Sequence, residues 1–174
     1  AILLRPDDLG VAGFDLLVET TLLEPLVAEL LARGAVEADD EVAETLRIEG
    51  GVPKFHQDMD EETIPLEAGI EGRAISLTKG CYVGQEVIIR VLHRGHGRVA
   101  RRLVGLSLPD GGVPAPEDGI HAGARAIGKV TSAAWSPTLG HPVALGYVHR
   151  DFVAVGTHVR IREREAIIVA LPFQ

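Results

Sequence analysis

The segment "LTKGCYVGQEVIIR" (77–90) holds Cys81, the single cysteine of the chain, between Gly80 and Gly84, with Lys79 before it and Glu86 after it. A thiolate is the reactive form of cysteine, and helix N-termini and nearby cations favour it. A helix starting near Gly84 would put Cys81 just upstream of free backbone N–H groups, with Glu86 in the favourable first turn. The alternative is a small buried residue, because free cysteine is among the most buried types. The residues alone leave both readings open.

A second constellation is the arginine run Arg90, Arg94, Arg98, Arg101 and Arg102, with no acid between them. Arg90 and Arg94 are one helical turn apart and share a face. Guanidinium forks suit carboxylates and phosphates, so the run predicts either an anionic ligand or salt bridges to acidic segments elsewhere. Direct nucleic-acid binding is not expected, since the chain is acidic overall and lacks clustered aromatics. His93 and His96 lack the third ligand a zinc site wants. His56 with Asp58, Asp60, Glu61 and Glu62 lacks the spacing of a calcium loop and reads as a solvated acidic loop. No metal is expected. Phosphate-binding glycine loops and a G-x-S-x-G elbow are absent from the sequence.

The elements that must hold these residues fall into two textures. Residues 1–89 carry 19 acidic and 6 basic side chains, and residues 90–174 carry 6 and 11. "GFDLLVE" (13–19) reads as a strand entering a core. "TTLLEPLVAELLARGA" has the i, i+3, i+4 spacing of an amphipathic helix, with Pro25 in its first turn and Gly34 as its stop. "DDEVAETLRIE" predicts a second helix capped by Asp39 or Asp40. "GGVPKFHQDMDEETIPLEAGIEG" has no period and reads as a long loop, a kind that is usually functional. "GQEVIIRVLHRG" predicts about three helical turns, ending at Gly95. From Arg98 onward, five or six short β segments separated by turn clusters predict a small barrel or sandwich, with a boundary near residue 96. The class is α+β. One cysteine and no long apolar run fit a soluble cytoplasmic protein with no membrane partner.

"KGCYVGQE" (79–86) resembles the signature of the YgfZ-type folate-binding proteins, in the superfamily of the glycine-cleavage T-protein, an aminomethyltransferase. "LGVAGFDLLV", "ETLRIEGGVPKF", "DMDEETIPLEAG", "GRVARRLVGL" and "IGKVTSAAWSPTLGHPVALGYV" agree in order along nearly the whole chain. The resemblance implies part of a folate-binding α+β region (1–96) followed by a C-terminal antiparallel β-barrel (97–174). Relatives of roughly twice this length would carry the T-protein's catalytic aspartate in a preceding half. The resemblance further implies tetrahydrofolate or a folate derivative as cofactor, with Arg90, Arg94 and Glu67 as candidate contacts. Lys79, Gly80, Cys81, Tyr82, Gly84, Gln85 and Glu86 form the reactive-thiol motif.

Two T-protein contacts differ. Val11 stands where a glutamate touches the pteridine, and Ala43 where an arginine touches folate. The YgfZ likeness implies an accessory role in iron–sulfur cluster assembly or repair, with client enzymes such as tRNA-modifying radical enzymes, or their assembly proteins, as partners. The alternative is folate-dependent aminomethyl or one-carbon transfer.

Overall fold

The computed structural model describes residues 1–5, 9–93 and 97–173. A two-stranded antiparallel sheet of β1 (Ile2–Leu4) and β2 (Asp15–Leu17) opens the chain. The helices α1 (Thr20–Ala32) and α2 (Asp40–Glu49) follow, then the single turns α3 (Pro65–Ala68) and α4 (Glu71–Ala74), and α5 (Gln85–His93). Six strands complete the fold: β3 (Arg101–Ser107), β4 (Gly119–Ala122), β5 (Arg125–Ser136), β6 (His141–His149), β7 (His158–Ile161) and β8 (Arg164–Val169). They form a closed antiparallel barrel in the order β3-β6-β5-β4-β7-β8. The expected α+β class with a small barrel is what the chain adopts. The boundary expected near residue 96 and the helix end at Gly95 lie outside the described residues. Among those residues, no helix is long and apolar enough to cross a membrane.

Inward positions of the barrel strands alternate with outward ones, and Leu106, Leu108, Ile120, Val130, Ile161 and Ile168 fill its interior. The outer face of β6 meets α2: Ile48 is fully buried against Val143 and Leu145, with Leu103, Leu171 and Phe173 around them. A third cluster joins Leu66, Ile88 and Val99, and Tyr82 packs against it. Elements on both sides of the arginine run are thus tied to one another.

Several expectations need correction. The "GFDLLVE" strand forms, but β2 is exposed because it pairs only with β1. Helix α1 forms and stops before Gly34, yet buries no residue. Pro25 lies inside α1 beyond the first turn, where its ring forfeits one backbone hydrogen bond. Ile2, Leu3, Phe14, Leu17, Leu22 and Leu23 are all exposed. The long loop contains α3 and the start of α4, too short to show a period. Strands β1 and β4 went unread, being three and four residues long.

Candidate functional site

Helix α2 organises a cavity against the following loop. The Asp39 carboxylate accepts a hydrogen bond from Val42 N at 2.9 Å, satisfying one orphan N–H of the first turn. Arg47, on the face toward the barrel, is 5% exposed and Asp58 is 3% exposed. Arg47 donates to Asp58 Oδ2 at 2.7 Å, to Glu44 through Nη2 and Nε at 2.6 and 3.0 Å, and to Ser132 Oγ at 2.8 Å. Asp58 also accepts from Lys54 N at 2.9 Å, Ser132 Oγ at 2.6 Å and Thr131 Oγ1 at 2.5 Å.

Consecutive strand residues normally face opposite sides. A bulge in β5 between Val130 and Ser132 interrupts that alternation, and both hydroxyls reach one carboxylate. Helix, loop and barrel are thereby locked through a satisfied buried ion pair. The reading of residues 56–62 as a solvated acidic loop is corrected at Asp58. Asp60, Glu61 and Glu62 are exposed, but Asp58 is the anchor of the segment.

Beside this lock lies a cavity of about 820 Å³ lined by Leu9, Ala43, Glu44, Val52, Pro53 and Lys54, among others. Leu9 reaches α2 because Gly10 and Gly50 touch backbone to backbone. A Cβ on Gly10, which has φ +71°, would sit 2.3 Å from Gly50 Cα. The apolar wall is Leu9, Ala43, Val52 and Pro53; the polar edge is Glu44, Lys54 and Gln57. Gln57 Nε2 donates to Glu44 Oε1 at 2.7 Å, and Lys54 Nζ lies 3.6 Å from Glu44 Oε2. Such a surface suits a flat, partly apolar molecule with polar edges.

Hydrogen bonding from Arg47 holds Glu44 down at about 2, against its partial burial, with Gln57, the Arg47 charge and the Lys54 charge adding to the effect. The folded carboxyl is the stronger acid, so it stabilises the fold above the unfolded value of 4.5. We expect stability to fall by on the order of 2 kcal/mol as pH drops from 4.5 through about 2, and Glu44→Gln to remove that part of the acid sensitivity. Urea midpoints of the two proteins across that range check it.

The matches with known proteins follow the same layout. Residues 101–173 match the family model described as the glycine cleavage T-protein C-terminal barrel domain. Residues 101–173 resemble a T-protein barrel. Matches to aminomethyltransferases run along nearly the whole chain. The chain is 38% identical over 168 residues to an aminomethyltransferase of Thermosynechococcus vestitus, covering 94% of this chain and 45% of that protein. It is 35% identical over 172 residues to an aminomethyltransferase of Moorella thermoacetica, covering 94% and 46%. The structure of glycine cleavage system aminomethyltransferase T from Bartonella henselae superposes with a TM-score of 0.87 at 24% identity, over 99% of this chain and 49% of that one. The chain therefore spans slightly under half the length of the relatives it matches.

On this scaffold the sequence-predicted residues separate. Cys81 is exposed. Gly80 and Lys79 are exposed too, and the Lys79 ammonium sits 4.8 Å from the centre of the Tyr82 ring. The Tyr82 ring faces the Leu66–Ile88–Val99 cluster. Gly84 has φ +86°, and its carbonyl accepts from Val87 N and Ile88 N, opening α5 just before Gln85. Glu86 lies in the first turn as expected, but its carboxylate accepts from Arg90 at 2.6 Å on the surface.

Glu67 is buried and accepts from Arg101 at 2.9 Å, while Arg102 lies 3.6 Å from Glu71. Arg90 and Glu67 thus belong to different ion pairs, and Arg94 lies outside the described residues. For Arg101 and Arg102, the salt-bridge reading of the arginine run holds. The Arg47–Asp58 lock was missed. Its one sequence signal is a charge between Leu46 and Ile48 on the buried stripe of an amphipathic helix.

Proposed function

We propose that this chain is part of a folate-dependent aminomethyl or one-carbon transferase of the T-protein type, with the cavity beside α2 as one wall of the folate site. The observation that carries the reading is the cavity itself. It is lined by Ala43, where the family resemblance expects a folate contact, in a chain 38% identical to a protein named aminomethyltransferase. Val11, the other altered position, is exposed next to Gly10 at the segment that closes the cavity. In this reading the pteridine lies on Leu9, Ala43, Val52 and Pro53. Lys54 and Gln57 supply polar contacts. The exposed apolar side chains of β1, β2 and α1 face the remainder of a longer protein, and the chain alone binds folate more weakly than the full-length protein.

The experiment is calorimetric titration of tetrahydrofolate into the full-length protein and two variants. Ala43→Trp fills the cavity and should weaken binding at least tenfold with little change in melting temperature. Ala43→Arg supplies a charged hydrogen-bond donor, worth about 1.5–3 kcal/mol, and should tighten binding about tenfold. Unchanged affinity in both variants places folate elsewhere.

One observation favours a second reading, the YgfZ-type accessory role toward iron–sulfur enzymes: Cys81 is exposed within "KGCYVGQE". A cluster takes about four ligands, so one thiol would act transiently, by thiol exchange or as a shared ligand. Under this reading Cys81 alkylates with iodoacetamide faster than free cysteine at neutral pH. Cys81→Ser then abolishes support of cluster-dependent enzymes in cells while leaving melting unchanged. Normal support by the variant removes this reading and leaves the transferase untouched.

A further inference from the structure

A groove of about 630 Å³ runs between α2 and the end of β5, on the flank of α2 adjoining the cavity already described. Its floor is apolar: Val42, Leu46, Val113, Ala134, Trp135 and Pro137 line it. Trp135 is 53% exposed there, and Val42 and Val113 are each 46% exposed. Every charged residue on its walls is acidic: Asp39, Glu41, Glu44 and Glu49. Arg47 neutralises Glu44 from behind, so the field over the groove comes from Asp39, Glu41 and Glu49.

Two of these carboxylates are held in place by the fold. Asp39 caps α2, and Glu49 accepts from Ser136 Oγ at 2.5 Å and from Thr138 Oγ1 at 3.2 Å. An indole face beside fixed carboxylates is complementary to a cation on an apolar stem, through both charge and ring quadrupole.

We propose that this groove receives an extended segment of a partner protein, about five residues long, with lysine or arginine on both sides of an aliphatic or aromatic anchor. Length selects a peptide over a small cation. From Asp39 to Glu49 the helix rises about 15 Å at 1.5 Å per residue, whereas a small cation meets one carboxylate. Five extended residues span about 16 Å and bring successive basic side chains onto the acidic row. The anchor enters between Val113 and Trp135. The proposal is independent of the folate reading: the two hollows share Glu41 and Glu44 but have different apolar floors, and Val113 lines only this groove.

Trp135 is the only tryptophan of the chain, so its emission reports this groove alone. The test titrates the 174-residue chain with a capped five-residue peptide of alternating lysine and leucine, and with its glutamate–leucine counterpart. Emission and calorimetry are followed together. The lysine peptide should give a saturable blue shift that matches the heat, weaken about tenfold from low to high salt, and weaken at least tenfold in Glu41→Lys and in Val113→Lys. Both substitutions are at exposed positions and leave the core intact. Heat without a change in Trp135 emission puts the peptide outside this groove and overturns the proposal. An equal response to the glutamate peptide, or no binding at millimolar concentration, also overturns it.

Discussion

Replacing Asp58 by alanine should destabilise the protein by about 3–5 kcal/mol, because it leaves the Arg47 guanidinium buried with one partner carboxylate removed. The loss is larger than for a surface ion pair. Asp58 is the meeting point of Arg47, Lys54 N, Thr131 and Ser132, so α2, the loop and the barrel lose their shared acceptor together. For a chain of this size the melting temperature should fall by about 10–15 °C. Removing both buried charges with Arg47→Met and Asp58→Leu should cost less than Asp58→Ala alone, since no unpaired guanidinium stays buried and the less buried Glu44 keeps Gln57 and Lys54 as partners. Denaturant melts of the three variants check this. A loss under about 1 kcal/mol for Asp58→Ala would show that water reaches the guanidinium and that the lock is ornamental. The cavity should suffer as well, because Arg47 and Lys54 belong to its wall.

Gly128→Ala should be comparably damaging, by at least about 3 kcal/mol. A Cβ at this position would lie 1.8 Å from the Tyr147 carbonyl oxygen and 2.8 Å from the Tyr147 carbonyl carbon. Both are backbone atoms of the neighbouring strand β6, so no side-chain rotation relieves the overlap. The two strands must part where Gly128 pairs with Val148, two residues before the bulge that aims Thr131 and Ser132 at Asp58. Urea midpoints check the size. Alanine at Gly123, whose Cβ meets open space, is the control and should cost only the strain of its positive φ. Wild-type stability in Gly128→Ala would mean that β5 and β6 can separate there freely.

The barrel was legible because strand length, turn residues and the loss of helical period all changed together after Arg98. Helix α2 and its Asp39 cap were legible for the same kind of reason: capping and apolar spacing are local. What the sequence hid was non-local. Arg47 meets Asp58 and Ser132 across 11 and 85 positions, and no periodicity encodes such a partner. The same holds for Glu67, whose counter-ion is Arg101, 34 residues away. Arg90 was read for its charge, yet it pairs with a carboxylate on the preceding turn of its own helix, Glu86. The exposed face of β1, β2 and α1 shows the complementary limit. Amphipathic spacing says that a face wants cover; it does not say that the cover lies within the same 174 residues.

The candidate site follows this pattern. The cysteine motif was conspicuous because a lone cysteine between glycines is a local feature. The α2 cavity was not, since it depends on the Gly10–Gly50 contact and on a loop pinned by Asp58. Family resemblance singled out Val11 and Ala43 as changed contacts. The fold puts Ala43 on the cavity wall and Val11 beside the glycine that closes it.

The central claim is one-carbon transfer on folate, and the most direct measurement is a single-turnover assay of the full-length protein. An aminomethyl donor and tetrahydrofolate are mixed with the protein, and 5,10-methylenetetrahydrofolate is followed as it forms. The account predicts protein-dependent formation that Ala43→Trp reduces at least tenfold and Cys81→Ser leaves intact. No methylenetetrahydrofolate, in a protein that binds tetrahydrofolate and restores iron–sulfur enzyme activity through Cys81, would contradict it.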